Sequence, residues 1–302
     1  MAAPIDPADP LPFPTFVGAG LSGIEGFSAC LILGVMSRPV LIVGDVQGDA
    51  ERLRQALDAY PEEEIDTVFL GDFFQGGRPG AAGGAEAARI ARARANSRSI
   101  LGNHDLFLLS VLEEVRDGFT PDSVRDRGWG TLAEVWLMRR GDWADLRAVA
   151  DDADLEAWLR SLPLLILLED GTLVQHADDD RYDQLGADVD AVNGWAQRTL
   201  AEPRGAWQVW LYTIGRRAFD DVSRLDAHLE HFAARRVVHG HTPHHSDRPQ
   251  VSHDGRLWNF DGCFSRFWDP HGEGIGPIEA TVSLLPPLES ARADAAAHAE
   301  AV

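Results

Sequence analysis

Pro39-Val40-Leu41-Ile42-Val43-Gly44-Asp45 is a short apolar run that stops on a glycine and a carboxylate. Thr67-Val68-Phe69-Leu70-Gly71-Asp72 does the same, and Ser99-Ile100-Leu101 runs into Gly102-Asn103-His104-Asp105. Unbroken apolar runs of this length fit strands buried on both faces. Between the first two, Asp49–Tyr60 carries Leu53 and Leu57 at helical spacing, and a Gly/Arg/Ala-rich loop and helix reaching Ala95 follows the second. Strand and helix in alternation predict an α/β fold. Each strand ends in a small residue followed by a polar one able to hold a metal.

Further along, Leu164–Leu168 and Thr172–Gln175 read as strands joined by an Asp170-Gly171 hairpin turn, the second leading into His176. Helical stretches around Asp190–Leu200 and Asp220–Ala234 precede Arg236–Val238, which runs into His239-Gly240-His241. Arg256–Phe260 and Glu279–Leu285 are expected to close a second sheet. Residues 117–160 differ: they are acidic, helical in pattern and carry Trp129, Trp136, Trp143 and Trp158. They are read as an inserted helical cap whose tryptophans pack the core, with stacking on a nucleobase as the alternative. The organisation expected is an extension over 1–35, one domain over 36–287 and an Ala-rich tail over 288–302.

Composition removes whole classes of chemistry. All 27 basic residues among the 302 are Arg, so no Lys is available to a P-loop, a kinase or a Schiff-base enzyme. A net charge of −21 argues against nucleic acid and membrane surfaces as partners, since both are held by basic patches. Two cysteines, Cys30 and Cys263, are too few for a disulfide framework or an all-thiolate zinc site. The first 35 residues lack the basic start of a secretory signal, and their Gly and Glu content does not suit a membrane span. The expected compartment is the cytoplasm.

Asp45, Asp72, Asn103, His176 and His241 all sit at strand ends, where loops of an open α/β sheet converge. Carboxylate, amide and imidazole donors suit Mn²⁺, Fe or Zn²⁺. Five donors exceed what one four-coordinate ion needs and match two ions sharing a carboxylate, the usual device for activating water beside a phosphate.

These residues carry a resemblance. Gly44-Asp45-Val46-Gln47-Gly48, Gly71-Asp72, Gly102-Asn103-His104-Asp105, Gln175-His176-Ala177 and His239-Gly240-His241-Thr242-Pro243 resemble the ordered motifs of calcineurin-like metallophosphoesterases of the phosphoprotein-phosphatase type. The spacings, 27 residues from Asp45 to Asp72 and 31 from Asp72 to Asn103, are similar too. The resemblance implies a four-layer αββα sandwich and two divalent ions, Mn²⁺ first, with Fe or Zn²⁺ as alternatives. It implies Asp45 on the first metal, Asp72 as the bridge, and Asn103, His176 and His241 on the second. His104 is implied as the acid that protonates the leaving group, and the attacking group as a hydroxide held by the cations.

Two departures stand out. Gln47 takes a place that is commonly His and is a weaker ligand of the first metal. The second motif runs Gly71-Asp72-Phe73-Phe74-Gln75-Gly76-Gly77-Arg78, so Gln75 replaces an acid that orients the catalytic His, and Arg78 stands two positions beyond the usual phosphate-binding Arg. Arg216 and Arg217 are other candidates for that role, and His239 is a candidate to compensate for Gln47. The implied substrate is a phosphorylated small molecule, a dinucleoside polyphosphate or a phosphoprotein. A degenerate, noncatalytic metal or phosphate binder is the alternative in a different class.

Overall fold

The computed structural model describes residues 38–116, 131–267 and 274–288. The expected extension over 1–35, the start of the cap at 117–130 and the tail beyond 288 lie outside the described residues. Two mixed sheets form the frame. The first has the order β3-β2-β1-β9, with β1 Val40–Val43, β2 Asp66–Phe69 and β3 Ser97–Ser99 parallel, and β9 Val282–Leu284 antiparallel to β1. The second has the order β4-β5-β6-β8-β7. Its β5 Thr172–Gln175, β6 Arg236–His239 and β8 Leu257–Asn259 are parallel, and β4 Leu165–Leu167 and β7 Gln250–Ser252 are antiparallel edges.

The last strand therefore corrects the expectation that both closing segments join the second sheet. Only β8 does so, while β9 returns to the first sheet, Ile42 opposite Ser283. An apolar run reveals burial but not its neighbour, because pairing is decided by long-range topology. The exposed edge strand β7 has no apolar alternation and was not anticipated.

Alternation along the strands builds two cores. Leu41, Val43 and Phe69 face helices α1 Ala50–Leu57 and α2 Gly83–Ala93, whereas Ile42 and Val68 cluster with Ile166, Val174, Val238 and Trp258 of the second sheet. The sheets thus meet through these side chains. All five strand-end segments carrying candidate ligands leave the sheets from carboxyl ends of parallel strands, which is what brings them together.

Helix α3, Asn103–Arg116, opens on the third motif. The described part of the insertion is helical: α4 Leu132–Met138, α5 Trp143–Ala150 and α6 Ala153–Ser161, capped by Thr131, Asp142 and Asp152. Trp136 is fully buried, 5.7 Å from Phe107, and Trp158 lies 5.9 Å from Phe73. These tryptophans are packing residues; Trp129 lies outside the described residues. Helices α7 Val189–Leu200, α8 Gly205–Trp210 and α9 Val222–His231 complete the α-helices among the described residues, beside short 3₁₀ turns. No helix among them is long and apolar enough to cross a membrane.

Candidate metal centre

Asp45, Asp72, His176 and His241 are buried together, and one donor atom each from Asp72, His176 and His241 lies within 4.8 Å of the others. Asp72, His241 and Gln47 adopt left-handed backbone conformations, φ of 52°, 65° and 45°. Such angles are costly for non-glycine residues and persist where surrounding structure enforces them. Gly102 supplies the close approach on one side. A Cβ there would lie 2.1 Å from Asp72 Oδ1.

Asp105 holds that approach in place. Its fully buried carboxylate accepts the backbone N–H groups of Asp72, Phe73 and Gly102 at 2.8–2.9 Å, stitching the second motif to the third. Burial, then the charge of Asp72, push its carboxyl up to about 7. Sequence reasoning gave Asp105 no task. Its place three residues beyond Gly102, at the start of a helix, was the available signal.

His176 shows what the centre is built to hold. Its Nδ1 donates to the Leu70 carbonyl at 2.9 Å, so Nε2 faces Asn103 Oδ1 at 2.9 Å and Asp72 Oδ1 at 3.4 Å. A ring nitrogen facing two oxygens needs a proton or a cation between them. Burial opposes the proton, but Asp72 and Asp45 push His176 up to about 10. Burial likewise opposes ionisation of Asp72, yet His104 and His176 hold its carboxyl well below the usual range. A divalent cation would do the same task as that proton. The donor set therefore fits a metal, with carboxylate and imidazole converging and the imidazole fixed from behind by a carbonyl.

His104 stands at the rim, its side chain 14% exposed and Nδ1 3.7 Å from Asp72 Oδ2, while its backbone N–H donates to Asp72 Oδ1 at 2.8 Å. Arg216 is exposed, but its Nε donates to His241 Nε2 at 3.1 Å. Burial, His176 and Arg216 all hold His241 well below its ordinary pKa, leaving a neutral imidazole.

The sequence profile of calcineurin-like phosphoesterases matches residues 38–245. The chain belongs to the calcineurin-like phosphoesterase family.

Among curated relatives of this phosphoesterase, the symmetrical bis(5'-nucleosyl)-tetraphosphatase of Ralstonia nicotianae is 30% identical over 177 residues, 59% of this chain and 54% of that protein. Its counterpart from a Marinomonas species is 31% identical over 141 residues, 45% and 42% of the two chains. The chain spans about half the length of the curated relatives it matches. In structure it is similar to the cold-active protein-tyrosine phosphatase of a psychrophilic Shewanella species, with a TM-score of 0.52, 17% identity, and 82% and 80% of the chains covered. That similarity supports the fold.

The departures noted in the sequence have definite positions in this phosphoesterase. Gln47 is buried beside the second motif, its N–H donating to the Asp72 carbonyl at 2.9 Å. Gln75 turns away from His104 and donates from Nε2 to the Arg139 carbonyl of the cap at 3.0 Å; the Phe74 backbone hydrogen-bonds His104 instead. Arg78 is exposed on its glycine-rich loop. His239 donates from Nδ1 to the Gly240 carbonyl and lines a cavity with Asp178, Arg217 and Thr242. Asp261, which sequence reasoning passed over, is buried at the end of β8.

Proposed function

We propose that the chain is a two-cation phosphohydrolase acting on a phosphate ester or anhydride, with a bis(5'-nucleosyl) tetraphosphate the preferred substrate. The observation that carries the reading is the convergence of Asp72 on His104 and His176, with Asn103 and His241 alongside. Asp45, Gln47 and Asp72 would hold one cation, and Asp72, Asn103, His176 and His241 the other, Mn²⁺ first among the candidates. When bound, such cations supply Lewis acidity toward phosphoryl oxygen and lower the pKa of water. Leu70 keeps His176 in its ligating tautomer. His104 gives an imidazole proton to the departing oxygen; burial lowers its pKa, and the Asp72 carboxylate beside it opposes that shift and favours the protonated ring. Arg216 and Arg78 are the arginines that would orient the phosphate through planar N–H pairs. The chain would enclose this centre in a four-layer αββα sandwich, in the cytoplasm.

The substrate preference has support in the chain as well as in the tetraphosphatase relatives. Phe107 follows His104 by one turn of α3, and Trp210 lies 6.1 Å from it, with Trp207 stacked on Trp210 at 4.5 Å and 13°. Both tryptophans are partly exposed. We infer that a leaving group released on the His104 side reaches the partly exposed Trp207 and Trp210, where stacked aromatic surface favours a nucleobase. A phosphopeptide would gain little from it. The test is kcat/KM for diadenosine tetraphosphate, a phosphopeptide and an aryl phosphate with Mn²⁺-loaded protein. The reading expects the dinucleotide to lead, and a lead for the phosphopeptide would overturn the preference.

A further inference from the structure

Phe260-Asp261-Gly262 repeats, after β8, the apolar-residue and carboxylate pattern by which β1 leads to Asp45 and β2 to Asp72. Asp261 is 2% exposed. Its Oδ2 is buried and has no hydrogen-bond partner among the described residues, while the carboxylate draws on the Cys263 backbone N–H. Leaving a carboxylate oxygen buried and unmatched is costly unless a charge comes to it.

The backbone sets this oxygen beside the metal centre. Gly44 packs on the Phe260 carbonyl, so closely that a Cβ would lie 2.0 Å from that oxygen. Asp45 and Asp261 each follow that contact by one residue. Strand pairing holds the second partner, with the Phe260 N–H on the His239 carbonyl at 2.8 Å and the Gly262 N–H on Thr281 Oγ1 at 3.1 Å. Downstream, Arg266 grips both oxygens of Asp49 at 2.8–2.9 Å, pinning the segment to the start of α1. Asp261 therefore has little freedom to swing to solvent.

Three buried carboxylates, Asp45, Asp72 and Asp261, thus share one region. The charges of Asp261 and Asp72 both bear on Asp45, and that of Asp72 bears on Asp261. Two positive groups act on Asp261 in return, Arg216 and His176. Arg216 is committed to His241 and His176 to Leu70, Asn103 and Asp72. A divalent cation between Asp45 and Asp261 removes both the repulsion and the unmatched oxygen.

We propose that Asp261 is a ligand of the first cation, its Oδ2 supplying the anionic donor that Gln47 does not. The inference rests on the two-cation reading and adds a donor to it. A neutral amide oxygen at position 47 is a weaker donor than the imidazole usual there, and the carboxylate at 261 adds a stronger, anionic one.

The experiment is Mn²⁺ titration of metal-stripped protein, followed by electron paramagnetic resonance and equilibrium dialysis, for wild type, Asp261→Asn, Gln47→His and the double variant. Wild type is expected to bind about two ions. Asp261→Asn should weaken one site by roughly 10- to 100-fold and leave the other unchanged. Gln47→His should recover at least about tenfold in the Asp261→Asn background, because imidazole replaces the lost donor. Thermal melting of the metal-free proteins separates ligation from structure: Asp261→Asn should melt no lower than wild type, since it relieves repulsion. Unchanged Mn²⁺ affinity in Asp261→Asn, with only inorganic phosphate bound less well, would overturn the ligand role and make Asp261 a positioning residue for Arg216. A wild-type chain that binds no Mn²⁺ would overturn the two-cation reading itself and this inference with it.

Discussion

Gly240 leaves room for Asp45: a Cβ at position 240 would lie 2.2 Å from Asp45 Oδ1, the same oxygen that accepts the His241 N–H at 3.1 Å. Gly240→Ala should therefore displace the Asp45 carboxylate. We expect Mn²⁺ affinity to fall by about tenfold or more, as losses of metal-site support commonly do. The same titration on a helical glycine whose Cβ would meet only the end of the flexible Arg198 side chain, Gly194→Ala, provides the comparison. Equal affinities in the two variants would show that Asp45 holds no metal.

Asp105→Asn changes one acceptor into a donor facing backbone N–H groups. Oδ2 accepts from Asp72 and Gly102 and Oδ1 from Phe73, so the amide leaves at least one buried N–H unmatched. That costs about 1–3 kcal/mol. Chemical denaturation should read this loss, and metal binding should weaken with it because Asp72 sits on the released loop.

Arg216 and Arg78 can be separated by kinetics. Arg216 reaches His241, whereas Arg78 is exposed on the loop before α2. Removing a preorganised guanidinium from a phosphate costs roughly one to three orders of magnitude in kcat/KM. We expect Arg216→Ala to lie in that range and Arg78→Ala to lose less, both with unchanged metal content. The reverse order would move the phosphate clamp to the glycine-rich loop.

Asp145 makes stability depend on pH from outside the site. It is buried, Oδ1 accepts the Ala85 N–H at 2.9 Å, and Oδ2 has no hydrogen-bond partner among the described residues. Burial, aided by Asp142, raises its carboxyl to about 7 from an ordinary 3.8. The folded chain then holds this proton more tightly than the unfolded one, so its contribution to stability declines as pH rises from about 4 to about 7 and is flat above. The slope is at most roughly 1.4 kcal/mol per pH unit. Asp145→Asn should melt progressively higher than wild type across that window. A constant difference in melting temperature from pH 5 to 8 would refute the assignment.

The site was legible where local sequence carries the geometry. Gly44-Asp45, Gly71-Asp72, Gly102-Asn103 and Gly240-His241 pair a close backbone approach with a donor, and both are visible as neighbours in the chain. The first three strands were legible for a similar reason, each being an apolar run stopped by glycine, while their parallel pairing was not written in them. Pairing of Ile42 with Ser283 was not, because nothing in either segment names the other. Gln75 and Arg139 meet across 64 residues, and Asp261 gains its meaning from Asp45, more than two hundred positions away. Asp-Gly after an apolar strand was the sign at 261, and it stood among many Asp residues with the same local look.

The most direct test of a metal-dependent phosphohydrolase is diadenosine tetraphosphate hydrolysis by protein whose metal content has been verified as zero, before and after adding Mn²⁺. No activity before and full activity after is the expected result. Full activity in the metal-free protein, unchanged by chelator, would contradict the account.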